Sequence, residues 1–134
     1  MYSGESPVRI VLDPKSELPE HLNLFVDRGS SLIITEEIDK QRSPDKEFIS
    51  VPKSESHISD ILEQVYQRGI FRILVEGGAK TIQKFIDSNN WDEARIITSI
   101  KPLFGGIKAP YISGKITESF KIQHDTISIM LRID

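Results

Sequence analysis

Glu76, Gly77 and Gly78 lie between an apolar run and a segment with helical periodicity, in the stretch RILVEGGAKTIQKFI. Open parallel sheets bind ligands at the carboxyl ends of their strands, and the N–H groups and dipole at a helix start suit a phosphate. Glycine permits close approach of a ligand to the backbone, and Thr81 adds a hydroxyl near the first turn. The stretch predicts either an anion-binding turn or a plain strand-to-helix turn with Lys80 in solvent.

The glycine pair fits neither common nucleotide-binding motif. Its spacing fails GxGxxG, and Lys80 follows too soon, without the long loop, for a Walker A motif. The motif alone therefore leaves both interpretations open.

Two carboxylates end apolar runs, where a charged group must be hydrogen-bonded or hydrated. Glu76 is a candidate for substrate binding; the alternatives are a cap on the next helix or a pair with Arg72 or Lys80. Asp13 ends VRIVLD and is followed by Pro14 and Lys15. The alternative for Asp13 is a turn-forming aspartate.

Other reactive side chains give little signal. The chain has no cysteine, which excludes disulfides, thiol catalysis and cysteine-ligated zinc. His21, His57 and His124 stand far apart, without ligand spacing, and are expected at the surface. Trp91 is expected to be a packing anchor. We therefore expect no metal.

Length and charge limit the function classes. The 134 residues are enough for one domain over 1–134, and the 17 basic and 20 acidic residues are scattered, which argues against nucleic acid as a partner. No apolar stretch approaches the roughly 20 residues of a membrane helix, and MYSGESP lacks a signal-peptide core. We expect a cytoplasmic protein without a membrane partner.

The hydrophobic pattern of the first half predicts strands and then a helix. Consecutive β-branched and apolar residues predict strands that are buried on both faces; these are Val8–Asp13 and Ser31–Glu36, with Leu22–Val26 and Glu47–Val51 as weaker candidates. Ile58, Ile61, Leu62 and Val65 have helical spacing, with Ser54 or Ser56 as N-cap and Gly69 after the last turn.

The second half continues the alternation. Phe71–Glu76 is expected to be a buried strand, followed by a helix over Ala79–Ile86, a strand in Trp91–Ile100 and a loop rich in Gly and Pro. Two alternating sets follow near the C-terminus: Ile127, Ile129, Leu131 and Ile133, and between them Thr126, Ser128, Met130 and Arg132. The first set faces Phe120 and Ile122 across a turn, as in a hairpin with one covered face. The fold class is α/β, with a mostly parallel sheet, right-handed crossovers and a C-terminal antiparallel hairpin.

The stretch RILVEGGAKTIQKFIDSNNWDEARIITSIKPLFGGIKAP closely resembles the late part of the reductase domain of bacterial riboflavin-biosynthesis deaminase-reductases, and PVRIVLDPKSELP resembles an earlier strand and turn. This resemblance implies a dihydrofolate-reductase-like, three-layer α/β/α fold. It also implies reduction of 5-amino-6-(5-phosphoribosylamino)uracil, with NADPH delivering hydride to C1′ of the sugar.

The same resemblance assigns roles to single residues. Glu76 would contact substrate, and the turn and helix from Gly78 to Lys84 would hold the NADPH pyrophosphate; their members are Gly78, Ala79, Lys80, Thr81, Ile82, Gln83 and Lys84. The turn with Asp13 and Lys15 would lie near the adenosine end of NADPH.

The family's domain begins with further strands and a helix that MYSGESP does not supply. We therefore expect an N-terminally truncated reductase domain, without the deaminase domain, that associates as a homodimer and does not turn over substrate alone. The alternatives are a non-catalytic nucleotide-binding or dimerising module, and a reductase of another pyrimidine or pterin on the same fold.

Overall fold

The computed structural model describes residues 6–26, 29–37, 46–51 and 58–133. The chain divides into two compact units, Met1–Phe71 and Arg72–Asp134, and each is described by itself. The expected N-cap at Ser54 or Ser56 and the residue His57 lie outside the described residues.

The first unit contains a parallel sheet of three strands. These are β1 (Arg9–Leu12), β2 (Ser31–Thr35) and β3 (Glu47–Ser50), in the order β1-β2-β3. Ile10 pairs with Leu32, and Ile33 pairs with Phe48. The prediction of parallel strands is confirmed, and all five residues of the central strand β2 are buried, as its apolar run requires.

Helix α2 (Ile58–Tyr66) has the predicted apolar stripe, with Ile58, Ile61 and Val65 buried. It ends as the sequence indicates, because Gly69 has a φ of 77° and its N–H donates to the Tyr66 carbonyl at 2.9 Å. The N–H of Ile70 reaches back to the Val65 carbonyl at 3.4 Å, completing a Schellman C-cap.

The suggested strand over Leu22–Val26 is wrong. Asn23–Val26 forms one helical turn, α1, in which the N–H groups of Phe25 and Val26 both donate to the Leu22 carbonyl. A five-residue apolar run has too few residues for its periodicity to separate helix from strand.

The second unit contains helix α3 (Ala79–Asp87) and an antiparallel sheet. Its strands are β4 (Glu93–Ser99), β5 (Lys115–Ile122) and β6 (Asp125–Leu131), in the order β4-β6-β5. The predicted C-terminal hairpin is therefore confirmed as β5 and β6, and β4 adds a third strand on the far side of β6. The expected covered face of this hairpin is not observed among the described residues, since Phe120 is 43% and Ile122 is 53% exposed. The α/β class is confirmed.

The expected buried strand over Phe71–Glu76 is wrong. None of these residues belongs to a strand, and Leu74 is 80% exposed. Apolar, β-branched residues favour extended backbone, but a β-strand also requires backbone hydrogen bonds to an adjacent strand. The backbone of residues 71–76 makes no hydrogen bond with any other residue in the described ranges.

Within residues 6–26, 29–37, 46–51 and 58–133, the helices are all too short to traverse a lipid bilayer.

Candidate functional site

The start of α3 has the geometry expected of a ligand-binding turn. Gly78 is the N-cap, with φ −67° and ψ 156°, a conformation open to any residue. A Cβ added to Gly78 would meet no atom within 4 Å. Neither the backbone nor the packing of the described residues therefore requires glycine here, and the space beside the helix start is open.

Backbone donors border this space. The N–H groups of Thr81 and Ile82 donate to the Gly78 carbonyl at 3.0 and 3.3 Å. The N–H groups of Gly78, Ala79 and Lys80 have no acceptor among the described residues. A helix start leaves such donors for a cap, water or an anion, and this one has no side-chain cap. The arrangement therefore fits a phosphate group.

Glu76 is exposed, two residues before this N-cap. The alternatives of a helix cap or a pair with Arg72 or Lys80 are not observed in the described part of the chain, where no hydrogen bond or ion pair reaches the Glu76 carboxylate. The intervening Gly77 has a φ of 156°, which glycine adopts readily. The carboxylate is therefore available to a ligand.

The remaining candidates on α3 differ in exposure. Lys80 and Lys84 are exposed, whereas Ala79, Thr81 and Ile82 are half-buried. The Gln83 side chain does not face the helix start, because its amide is hydrogen-bonded to the backbone of Tyr111. Its Oε1 accepts from the Tyr111 N–H at 2.9 Å, and its Nε2 donates to the Tyr111 carbonyl at 3.2 Å and to Asp87 Oδ1 at 2.8 Å.

The other candidates, Asp13 and Lys15, lie in the first unit at the carboxyl end of β1. The buried Asp13 carboxylate accepts from the N–H of Glu17 at 3.0 Å and from the N–H of Leu18 at 3.2 Å. Asp13 therefore orders its own turn, as the simpler interpretation of the sequence had it. Lys15 is exposed on this turn.

Thr35 ends the neighbouring strand β2, and its hydroxyl fixes the same turn. It donates to the Pro14 carbonyl at 3.3 Å and accepts from the Glu37 N–H at 3.1 Å. Ser16 Oγ lies 2.9 Å from Thr35 Oγ1, and Ser16 adopts the left-handed region, with φ 52°. This buried hydroxyl pair was not predicted from the sequence, although a threonine at the carboxyl end of a neighbouring parallel strand is a usable signal of a ligand-binding edge.

The histidines behave as expected where they are described. His21 and His124 are exposed, and Trp91 is half-buried just before β4. The pairing of Gln83 with Tyr111 had no sequence signal, because the two residues stand 28 positions apart and a backbone group is the partner.

This arrangement, an open helix start after Glu-Gly-Gly on an α/β framework, is typical of a domain that binds a phosphorylated ligand. The family model of the RibD C-terminal domain matches residues 2–127. The chain belongs to this family.

Curated relatives agree with the family. The chain is 30% identical over 125 residues to riboflavin biosynthesis protein RibD of Bacillus amyloliquefaciens, covering 87% of this chain and 33% of the relative. It is 28% identical over 136 residues to 2,5-diamino-6-ribosylamino-4(3H)-pyrimidinone 5′-phosphate reductase of Aquifex aeolicus, covering 96% of this chain and 59% of the relative. The chain thus spans about a third to three fifths of these relatives.

Solved structures agree on the fold. A deaminase and 5-amino-6-(5-phosphoribosylamino)uracil reductase from Thermotoga maritima superposes with a TM-score of 0.83 at 25% identity, covering 98% of this chain and 39% of that one. The riboflavin biosynthesis reductase Rib7 of Saccharomyces cerevisiae gives a TM-score of 0.79 at 17% identity, covering 96% and 71%. The dihydrofolate-reductase-like fold is confirmed.

Proposed function

We propose that this chain supplies NADPH- and substrate-binding residues of a cytoplasmic reductase in riboflavin biosynthesis. The substrate is 5-amino-6-(5-phosphoribosylamino)uracil and the product is its ribitylamino derivative. Family membership over residues 2–127 supports the reaction class. The observation that carries the cofactor assignment is the open space over Gly78, beside three backbone N–H groups without an acceptor among the described residues.

The reaction is a reductive opening of the ribosyl ring. NADPH, when bound, supplies a hydride to C1′ of the sugar. The bond between C1′ and the ring oxygen breaks, and that oxygen takes a proton and becomes a hydroxyl group of the ribityl chain. The protein needs no covalent nucleophile, so its contribution is to bind and orient the reactants.

Glu76 binds the substrate in this proposal. Its carboxylate is exposed and unpaired among the described residues, so it is free to accept hydrogen bonds from hydroxyl groups of the sugar. A carboxylate that is already in an ion pair would have to break that pair before it could bind the substrate. The absence of such a pair among the described residues supports a role of Glu76 in substrate binding over a role in stabilising the fold.

The turn and helix from Gly78 to Lys84 bind the cofactor pyrophosphate. The backbone N–H groups of Gly78, Ala79 and Lys80 donate to phosphate oxygens, and the exposed Lys80 ammonium adds positive charge. Gln83 takes part through its place on the helix, since its amide is bonded to Tyr111.

In the first unit, we assign Lys15 to the 2′-phosphate on the adenosine ribose of NADPH. The side chain is exposed at the carboxyl end of β1, and its backbone is held by an ordered turn. Asp13 contributes by ordering that turn, since both of its carboxylate oxygens already accept backbone N–H groups.

We further propose a homodimer formed through one face of the antiparallel sheet. Ile97, Ile127 and Phe120 are directly opposite one another in the ladder, so they share one face and form an apolar row across β4, β6 and β5. Ile97 is 66% exposed and Phe120 is 43% exposed. A row of this kind favours association, because burial removes apolar area from water.

The function is tested by binding measurements on the purified chain. We expect saturable binding of NADPH, and binding of the ribosylamino uracil that is tighter with the cofactor present. The diamino pyrimidinone named for the Aquifex aeolicus relative is the comparison ligand. Binding of NADPH with no affinity for either pyrimidine would favour the nucleotide-binding module, and tighter binding of the pyrimidinone would correct the substrate. No binding of NADPH would overturn the proposal.

A further inference from the structure

We propose that Thr35 is a positioning residue for recognition of the cofactor's 2′-phosphate, acting through Lys15. The inference rests on the proposed function, because it needs NADPH as the cofactor and Lys15 as the contact. It goes beyond that function by making a buried hydroxyl on a neighbouring strand responsible for the preference between NADPH and NADH.

Thr35 is tied to the residues on both sides of Lys15. Its Oγ1 donates to the Pro14 carbonyl at 3.3 Å and lies 2.9 Å from Ser16 Oγ. The one hydroxyl proton of Thr35 is used toward Pro14, so Ser16 is the donor in the second bond. A single hydroxyl group thus contacts the backbone carbonyl immediately before Lys15 and the side chain immediately after it.

The hydroxyl has no spare capacity. It donates once and accepts twice, from Ser16 and from the Glu37 N–H at 3.1 Å, which uses its full set of hydrogen bonds. Thr35 is 1% exposed, so water does not replace these partners. Its removal would take one partner each from the Ser16 hydroxyl, the Glu37 N–H and the Pro14 carbonyl, of which the carbonyl keeps the bond that it accepts from the Glu36 N–H at 2.9 Å. Valine has nearly the same shape as threonine without the hydroxyl.

Further backbone hydrogen bonds order the turn, in which only Pro14 and Lys15 of the stretch from Asp13 to Ser16 are exposed. The Asp13 N–H donates to the Ile34 carbonyl at 2.9 Å, and the Ser16 N–H donates to the Asp13 carbonyl at 3.0 Å. Ser16 keeps a left-handed backbone that a non-glycine residue adopts only when its surroundings enforce it.

The consequence is a lysine with an ordered backbone and an exposed ammonium group that has no partner among the described residues. Holding the Cα in place reduces the conformational entropy that Lys15 loses when it contacts a phosphate. Only NADPH carries the 2′-phosphate, so a fault in this positioning lowers affinity for NADPH and leaves affinity for NADH unchanged. A purely structural role would lower both affinities together.

The test compares dissociation constants for NADPH and NADH, measured by quenching of the single tryptophan, Trp91, or by calorimetry, on the purified chain. We expect Lys15→Ala to reduce the preference for NADPH by about tenfold, the effect of one hydrogen bond to a charged group. Thr35→Val is expected to reduce it at least about threefold. Thr35→Ser keeps the hydroxyl group and is expected to keep the wild-type preference for NADPH over NADH.

Two further variants separate positioning from stability. Ile33→Val removes one buried methylene from the same strand, which lowers stability without touching the hydroxyl, so its preference for NADPH is expected to equal that of the wild type. In the Lys15→Ala background, Thr35→Val is expected to have no further effect on the preference. If Thr35→Val does not fold, Ser16→Ala removes one of the three bonds and is expected to give an intermediate preference.

The inference is overturned if Thr35→Val retains the wild-type preference while Lys15→Ala loses it, in which case the cofactor assignment survives. It is also overturned if Ile33→Val loses the preference as much as Thr35→Val does. Equal affinity of the wild type for both cofactors would overturn the assignment of Lys15 and this inference together. Tighter binding of NADH than of NADPH would also overturn both, and would favour a contact of the ribose hydroxyl groups with the carboxylate of Glu36 or Glu37, after the carboxyl end of β2.

Discussion

The side chain of Gln83 pairs with both backbone polar groups of Tyr111, as one strand residue pairs with another. The amide oxygen accepts at 2.9 Å and the amide nitrogen donates at 3.2 Å, and the same nitrogen also donates to Asp87. Tyr111 follows the loop that contains Leu103, Phe104 and Ile107, all about nine-tenths or more exposed. One glutamine of α3 thereby anchors the end of that loop.

Gln83→Ala is expected to release the loop at Tyr111. Two exposed hydrogen bonds to the backbone are lost, so the free energy of unfolding falls by about 1 kcal/mol, and the Tyr111 amide hydrogen exchanges faster. Asp87→Ala is the control, since it removes the third bond of the amide and leaves the pairing with Tyr111 in place. Equal exchange rates of the Tyr111 amide hydrogen in the two variants would show that Gln83 does not hold the loop at Tyr111.

Glu76→Gln is expected to lower reductase turnover at least about tenfold, or about 1.4 kcal/mol in activation free energy, in a preparation that oxidises NADPH with the ribosylamino uracil. The carboxylate is the group that binds the sugar in the proposed function, and the amide keeps its size. The melting temperature is expected to stay unchanged, because Glu76 has no partner among the described residues. Glu118→Gln, an exposed acid on β5, serves as the control. Unchanged kinetics for Glu76→Gln would remove this residue from the site.

Ile97→Asp is expected to dissociate the proposed homodimer. Light scattering should give twice the 15.2 kDa chain mass for the wild type and the chain mass itself for the variant. Burial of an aspartate in an apolar interface is unfavourable. Thr98→Asp places the same charge on the next residue of β4, on the opposite face of the sheet, and should leave the dimer intact. A monomeric wild type would refute the dimer, and dissociation by both variants alike would refute this face as its interface.

The sequence predicted those elements whose periodicity and burial agree. In β2 the consecutive apolar residues predicted a strand buried on both faces, and all of its residues are buried. In α2 the apolar residues at helical spacing predicted a buried stripe, which the structure shows. Phe71–Glu76 carries the same kind of apolar run yet has no backbone partner among the described residues. Residue types report a preference for extended backbone, whereas a ladder also depends on a second segment that the run itself does not specify.

The candidate site was predictable where it follows from position along the chain. Glu76 and Gly78 come at the junction of an apolar run and a helix, and the structure leaves the first unpaired among the described residues and the second open to a ligand. Contacts between distant segments were not predictable in this way. The bonds from Thr35 to Ser16 and from Gln83 to Tyr111 span 19 and 28 positions, and both use common polar residues.

Gly78→Val shows most clearly whether the start of α3 holds the cofactor phosphates, through the affinity of the variant chain for NADPH. Because Gly78 has an ordinary φ and open space around it, the fold tolerates valine at a cost of at most about 1 kcal/mol from the poorer N-cap. The control is Gly69→Val, where φ is 77° and the loss should appear in stability, with NADPH affinity unchanged. We expect Gly78→Val to bind NADPH at least about tenfold more weakly, with a nearly unchanged melting temperature. Wild-type affinity for NADPH in the folded Gly78→Val chain would mean that the start of α3 does not hold the cofactor phosphates.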